Sequence, residues 1–118
     1  MQFIGGLLAD AGNLPAEPVL LWRELDRSVK HVVIGTGLTV GRKTLVPGLA
    51  FSTDAFLSRS HFRVCPEGDS YRIEDLRSKN GTYINCAENQ VSSKALRDGD
   101  IILAGNHVFV FLDPRKTT

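Results

Sequence analysis

Apolar residues come in short runs along this chain, separated by polar and glycine-containing steps. The clearest alternation is Tyr71-Arg72-Ile73-Glu74-Asp75; a period of two puts Tyr71 and Ile73 on one face of a half-buried strand. Val19-Leu20-Leu21-Trp22, His31-Val32-Val33-Ile34, Leu38-Thr39-Val40, His61-Phe62-Arg63-Val64-Cys65, Ile101-Ile102-Leu103 and His107-Val108-Phe109-Val110-Phe111-Leu112 read as further strands, rich in β-branched and aromatic residues. Turn formers stand between them: Asp26-Arg27-Ser28, Gly35-Thr36-Gly37, Pro47-Gly48, Glu67-Gly68-Asp69-Ser70 and Asp98-Gly99-Asp100. Pro66 is expected to stop its strand. Asn80-Gly81 and Gly105-Asn106 predict hairpin turns. Leu49-Ala50-Phe51 predicts a short strand within an irregular stretch, residues 43–57, and residues 86–95 read as polar loop. No window carries a sustained helical period with caps. Many short strands separated by turns predict an all-β sandwich or barrel.

Length bounds this picture to one domain, since 118 residues support a single core. Residues 1–18, with Gly5-Gly6, Gly12 and Pro15, are expected to form a loosely ordered leader. Residues 19–113 form the domain and residues 114–118 a frayed tail. A hydrophobic content of 42% argues against global disorder. The formal net charge of +1 argues against a nucleic-acid binder, so any anion recognition must come from a local cluster. Cys65 and Cys86 make no disulfide framework, and with His31, His61 and His107 they show no metal-ligand spacing. The short apolar patch near the N-terminus has no basic flank and is interrupted by Asp10, a poor signal peptide and too short for a membrane span. The expectation is a soluble intracellular, cytoplasmic protein with no membrane or nucleic-acid partner, no metal and no cofactor.

Enzymatic readings fail on spacing. The run Gly35-Thr36-Gly37-Leu38-Thr39-Val40-Gly41-Arg42-Lys43-Thr44 lacks the Gly-Lys-Ser/Thr step and the helix of a nucleotide loop. Ser58 and His61 have no local carboxylate to orient the imidazole. Glu74 and Asp75 face opposite ways, as ordinary polar surface does. What remains is a set of donors at strand ends. Arg42 ends one strand, Ser58 and Arg59 precede another, and Ser78-Lys79-Asn80 follows a third. Loops gather at the ends of a sandwich, so these positions can converge. A guanidinium fork matches two phosphate oxygens, and hydroxyl, ammonium and backbone N–H groups can complete the shell.

Four motifs in register carry a resemblance: Gly41-Arg42, Ser58-Arg59-Ser60-His61, Asp75-Leu76-Arg77-Ser78-Lys79-Asn80-Gly81-Thr82-Tyr83-Ile84-Asn85, and Leu96-Arg97-Asp98-Gly99-Asp100-Ile101-Ile102-Leu103. Together they resemble the forkhead-associated (FHA) domain, over nearly everything from residue 19 to 112. The resemblance implies an FHA-type β-sandwich of two antiparallel or mixed sheets with about eleven strands. It implies a non-catalytic module that binds phosphothreonine in a partner protein, a substrate of a Ser/Thr kinase, in signalling or regulation. The alternative is an FHA-like structural interaction domain that works without phosphate. By the resemblance, Arg42, Ser58, Arg59 and Lys79 lie on the phosphate and Asn80 on the peptide backbone. Gly41, His61, Gly81 and Thr82 are structural around the site. The sequence departs from the family at Leu45-Val46-Pro47-Gly48, in place of an acidic, asparagine-containing turn, and at Ala104-Gly105-Asn106.

Overall fold

A computed structural model describes residues 2–43 and 48–116. Among the described residues it has ten strands in two five-stranded sheets, packed as a sandwich. One sheet has the order β2-β1-β10-β9-β7, built from β1 (Val19–Arg23), β2 (Val29–Val33), β7 (Thr82–Ile84), β9 (Ile101–Ala104) and β10 (His107–Leu112). It is antiparallel throughout. The other has the order β4-β3-β5-β6-β8, from β3 (Leu38–Gly41), β4 (Gly48–Ala50), β5 (Phe62–Glu67), β6 (Ser70–Asp75) and β8 (Ser93–Leu96). Its β3–β4 pair is parallel and the rest antiparallel, so the sheet is mixed.

Alternation decides what fills the space between the sheets. Leu20 and Trp22 from β1, Phe109 and Phe111 from β10, and Ile102 from β9 meet Val40, Phe62, Val64 and Ile73 of the opposite sheet, each at most 5% exposed. Phe109 sits at the centre, with edge contacts to Phe62 at 5.6 Å and Trp22 at 6.0 Å between ring centroids.

Several elements differ from the sequence reading, each for a tertiary reason. Asn80-Gly81 does not make a hairpin: β6 and β7 belong to different sheets, and residues 76–81 carry the chain from one to the other. Only Gly81 of the pair is left-handed, at φ 88. Gly105-Asn106 does close a hairpin, between β9 and β10, with Gly105 at φ 57. The polar stretch 86–95 ends in β8, which pairs with β6 although only its Leu96 is buried. Pro66 lies within β5 rather than ending it; β3 reaches only to Val64, so the missing N–H falls where no neighbour needs it. The predicted turn at Pro47, like most of the departing Leu45-Val46-Pro47-Gly48 segment, lies outside the described residues.

A helix, α1 (Gln2–Ala11), stands in the stretch read as leader, against the expectation of no helix. It carries Gly5-Gly6, which disfavour a helix on their own. Tertiary packing holds it: Leu7 is 1% exposed, and Asp10 pairs with Arg23 of β1 at 2.8 Å. Among the described residues no helix is long and apolar enough to cross a membrane.

Candidate functional site

The strand registers fix which loops meet. Val40 lies opposite Phe62, Phe62 opposite Asp75, and Gly41 opposite Ala50. The end of β3, the segment between β4 and β5, and the β6–β7 crossover therefore leave the sheet at one pole. Backbone bonds then join them: the Arg42 N–H donates to the Ser58 carbonyl at 2.9 Å, Lys43 N–H to Arg59 at 3.1 Å, and Leu76 N–H to His61 at 2.9 Å. The approach at Gly41 is so close that a Cβ there would stand 2.2 Å from the Arg59 carbonyl oxygen. Space, rather than an unusual φ, is what demands glycine.

His61 is fully buried between two loops. Its Nδ1 lies 3.0 Å from the Ser58 N–H and its Nε2 2.8 Å from the Gly81 carbonyl oxygen. An amide N–H can only donate and a carbonyl can only accept, so Nδ1 accepts, and Nε2 carries the proton that goes to Gly81. One ring thus fixes the separation of the Ser58 and Asn80-Gly81 segments.

Around that brace the polar side chains take complementary tasks. The Ser58 hydroxyl oxygen accepts the Lys79 N–H at 2.9 Å, which leaves its own O–H to donate outward. Asn80 donates Nδ2–H to the Phe56 carbonyl at 2.9 Å, leaving its Oδ1 and second N–H. Arg42, half-buried, donates Nε–H to the Leu57 carbonyl at 3.2 Å. That bond orients the guanidinium while its terminal Nη groups carry no bond among the described residues. Arg59 and Lys79 are exposed, and only their backbones are engaged with the neighbouring loops.

Two carboxylates hold the loops from inside, and neither was singled out from sequence. Asp75, read as ordinary surface, is half-buried and accepts from the Ser78 hydroxyl, the Ser78 N–H at 3.1 Å and the fully buried Thr82 hydroxyl at 2.7 Å. Ser78 in turn accepts the Gly81 N–H at 3.0 Å. The Ser78 and Thr82 hydroxyls thus serve the crossover and are not free donors for a ligand. Burial works to raise the Asp75 carboxyl, but the bonds from Ser78 and Thr82 outweigh it and hold it below the ordinary value. Asp54, 4% exposed, accepts from Phe56 N–H at 3.0 Å, Asn106 N–H at 2.8 Å and His107 Nδ1 at 2.7 Å. Its carboxyl is also held low, burial being outweighed chiefly by the His107 bond. The Asp75-x-x-Ser78 spacing is a local turn signal that sequence offers. Nothing local links Asp54 to His107.

With Asp54 and Asp75 turned inward, the loops present Arg42, Lys43, Arg59, Arg77 and Lys79, none of which is in an ion pair among the described residues. Elsewhere Arg23, Arg72, Lys94 and Arg115 each have a carboxylate partner, whereas Arg27, Lys30, Arg63, Arg97 and Lys116 are in no ion pair among the described residues. The pole is a small cationic surface with an aimed guanidinium, a free hydroxyl and a free amide.

A family model described as the FHA domain matches residues 38–105, more than half of the chain. An oxoglutarate dehydrogenase inhibitor of Corynebacterium jeikeium is 38% identical over 66 residues, covering 56% of this chain and 44% of that protein. The chain spans less than half the length of the curated relatives it matches. Among solved structures, the FHA domain of a Chlamydia trachomatis protein has a TM-score of 0.68 at 25% identity, over 81% of this chain and 96% of that one. A chain from a study of phosphothreonine-dependent FHA domain interactions has a TM-score of 0.65 at 25% identity, over 80% and 94%. The structural matches cover more of the chain than the family model, which leaves out β1, β2 and β10. By its fold and by the family match, the chain belongs to the FHA domain family.

Proposed function

We propose that this chain is a non-catalytic module that binds phosphothreonine in a partner protein phosphorylated by a Ser/Thr kinase, inside the cell. FHA domains are interaction modules, and residues 19–113 carry the binding unit. The observation that supports this reading most directly is the division of labour between Arg42 and Ser58. Each is fixed by one bond into the scaffold, Nε to Leu57 and Oγ from Lys79, and each keeps its remaining donors for a ligand. A phosphate with second pKa near ~6 is close to doubly charged at neutral pH, and charge-assisted bonds of this kind select it over an unmodified hydroxyl. Asn80, held by Phe56, keeps its Oδ1 acceptor and a second N–H donor for a peptide backbone. Arg59 and Lys79 add charge at the rim.

Arg42→Ala tests the assignment. Two charge-assisted bonds at about 1.5–3 kcal/mol each put the loss at roughly a hundredfold or more in affinity, with the thermal melt little changed because Arg42 makes one part-buried bond. Titration against a degenerate phosphothreonine peptide library, with its unphosphorylated counterpart as control, reads the effect. Binding that survives Arg42→Ala, or survives phosphatase treatment of the ligand, would instead support a phosphate-independent interaction domain.

A further inference from the structure

The β9–β10 hairpin reaches the candidate site from the other sheet, and it does so through one carboxylate. Asp54 lies in the segment between β4 and β5, and its two oxygens serve different partners. Oδ1 accepts the Phe56 N–H at 3.0 Å within the segment. Oδ2 accepts the Asn106 N–H at 2.8 Å and lies 2.7 Å from His107 Nδ1. The Asp54 carboxyl is held below the ordinary value, so at neutral pH it only accepts, and His107 Nδ1 carries the proton. The imidazole is fixed in place by its neighbours, with ring centroids 4.0 Å from Phe51 and 5.8 Å from Phe109. The tip of the hairpin is seated as closely: a Cβ on Gly105 would stand 2.8 Å from both Asp54 Oδ2 and Leu57 Cγ.

What Asp54 holds is the peptide unit that holds Asn80. The Leu57 N–H donates to the Asp54 carbonyl at 3.2 Å. The other end of that same peptide unit, the Phe56 carbonyl, accepts Asn80 Nδ2–H at 2.9 Å. A continuous chain of bonds therefore runs from His107 to Asp54, from Asp54 to the Phe56-Leu57 peptide, and from that peptide to the Asn80 amide. We propose that His107 is a positioning residue for ligand binding: its Nδ1–H seats Asp54, and through Asp54 it sets the aim of Asn80. The ligand is that of the phosphothreonine reading, on which this rests. Without the imidazole N–H, Oδ2 keeps only the Asn106 donor among the described residues, at a carboxylate that is 4% exposed and so gains little from water. The carboxylate then re-seats to recover a donor, and the Phe56 carbonyl moves with it.

The test uses the full chain and phosphothreonine peptides with degenerate flanks, read by fluorescence anisotropy, and substitutions that separate the donor from the ring. His107→Phe keeps the ring packing on Phe51 and Phe109 and removes the N–H. His107→Asn removes the ring and keeps a side-chain N–H at the same remove from Cβ as Nδ1. His107→Leu, also without a donor, stands in should His107→Phe not fold. His107→Phe is expected to weaken binding about tenfold or more, as loss of a bond to a charged group does. His107→Asn is expected to bind close to the parent although it melts lower. In an Asn80→Ala background His107→Phe is expected to cost no further affinity, whereas a general loosening of the fold would add its effect in full. Parent-like binding by His107→Phe, equal weakening by His107→Phe and His107→Asn, or additive losses with Asn80→Ala each overturns the positioning role. Failure of every phosphorylated peptide to bind the parent overturns the phosphate reading alone. The NMR signals of the Asn80 side-chain amide then decide the positioning role: it stands if His107→Phe shifts them and His107→Asn does not, and falls otherwise.

Discussion

Replacing His61 with alanine removes the buried side chain that bonds to both the Ser58 and the Asn80-Gly81 segments. The imidazole is fully buried, so three losses combine. The Ser58 N–H loses its acceptor at 3.0 Å and the Gly81 carbonyl its donor at 2.8 Å; a buried polar group without a partner costs about 1–3 kcal/mol. The ring's contacts, including an edge contact with Phe62 at 6.4 Å between centroids, leave a cavity. Large-to-small changes of this size cost about 3–5 kcal/mol in well-packed cores. Water entering the cavity can restore both bonds, so the terms do not add in full, and the expected loss is about 3–5 kcal/mol. In a domain of this length that lowers the Tm by roughly 10–20 °C. Equilibrium urea unfolding should show a lower midpoint with an unchanged m-value. Phosphopeptide affinity, measured where the variant is still folded, should also fall, because among the described residues the Ser58 and Asn80 segments are then joined only by the exposed Ser58–Lys79 and Asn80–Phe56 bonds. A loss under about 1 kcal/mol with the m-value unchanged would refute the assignment of His61 as the brace.

The carboxylates give a pH dependence whose sign is fixed by their direction. Asp54, Asp75 and Asp113 are all held below the ordinary aspartate value in the folded chain, so each contributes stability above its unfolded pKa of ~3.9 that is lost as the pH falls through the folded value. Urea midpoints should fall on acidification from about pH 5 downward, and Asp75→Asn should flatten part of that slope while costing about 1–3 kcal/mol at neutral pH. Gly41→Ala forces a methyl against the Arg59 carbonyl, 2.2 Å away; the Ser58-Arg59 segment must move, and a loss of about 3 kcal/mol or more is expected by thermal melt.

Much of the sandwich is legible because its signals are local. Tyr71 and Ile73 alternate with polar residues and do face the core, and the Gly105-Asn106 turn does join neighbouring strands. Asn80-Gly81 misleads because the same residues serve any reversal that needs a left-handed step. Whether the next strand pairs with the last one or joins the other sheet is decided by partners far along the chain. β8 is hidden for a related reason: its backbone bonds to β6 define it, while Ser93, Lys94 and Ala95 carry no strand pattern. Helix α1 has two glycines and no capping signal, and only the sheet beneath it explains its presence. Within the site, Arg42, Ser58 and Asn80 stand out as donors at strand ends. Asp54 does not, since its meaning lies in a histidine 53 residues away.

The crossover between β6 and β7 bridges two sheets whose faces lie ~10 Å apart, so its length is set by the thickness of the sandwich and not by the ligand. Lys79, in the middle of it, is tied to the scaffold through its backbone N–H alone. Any residue except proline can keep that bond. On the proposed phosphate site, position 79 is therefore where a library or a lineage can change what is recognised at almost no cost in folding, while insertions in the same loop would displace Asn80 and β7 together.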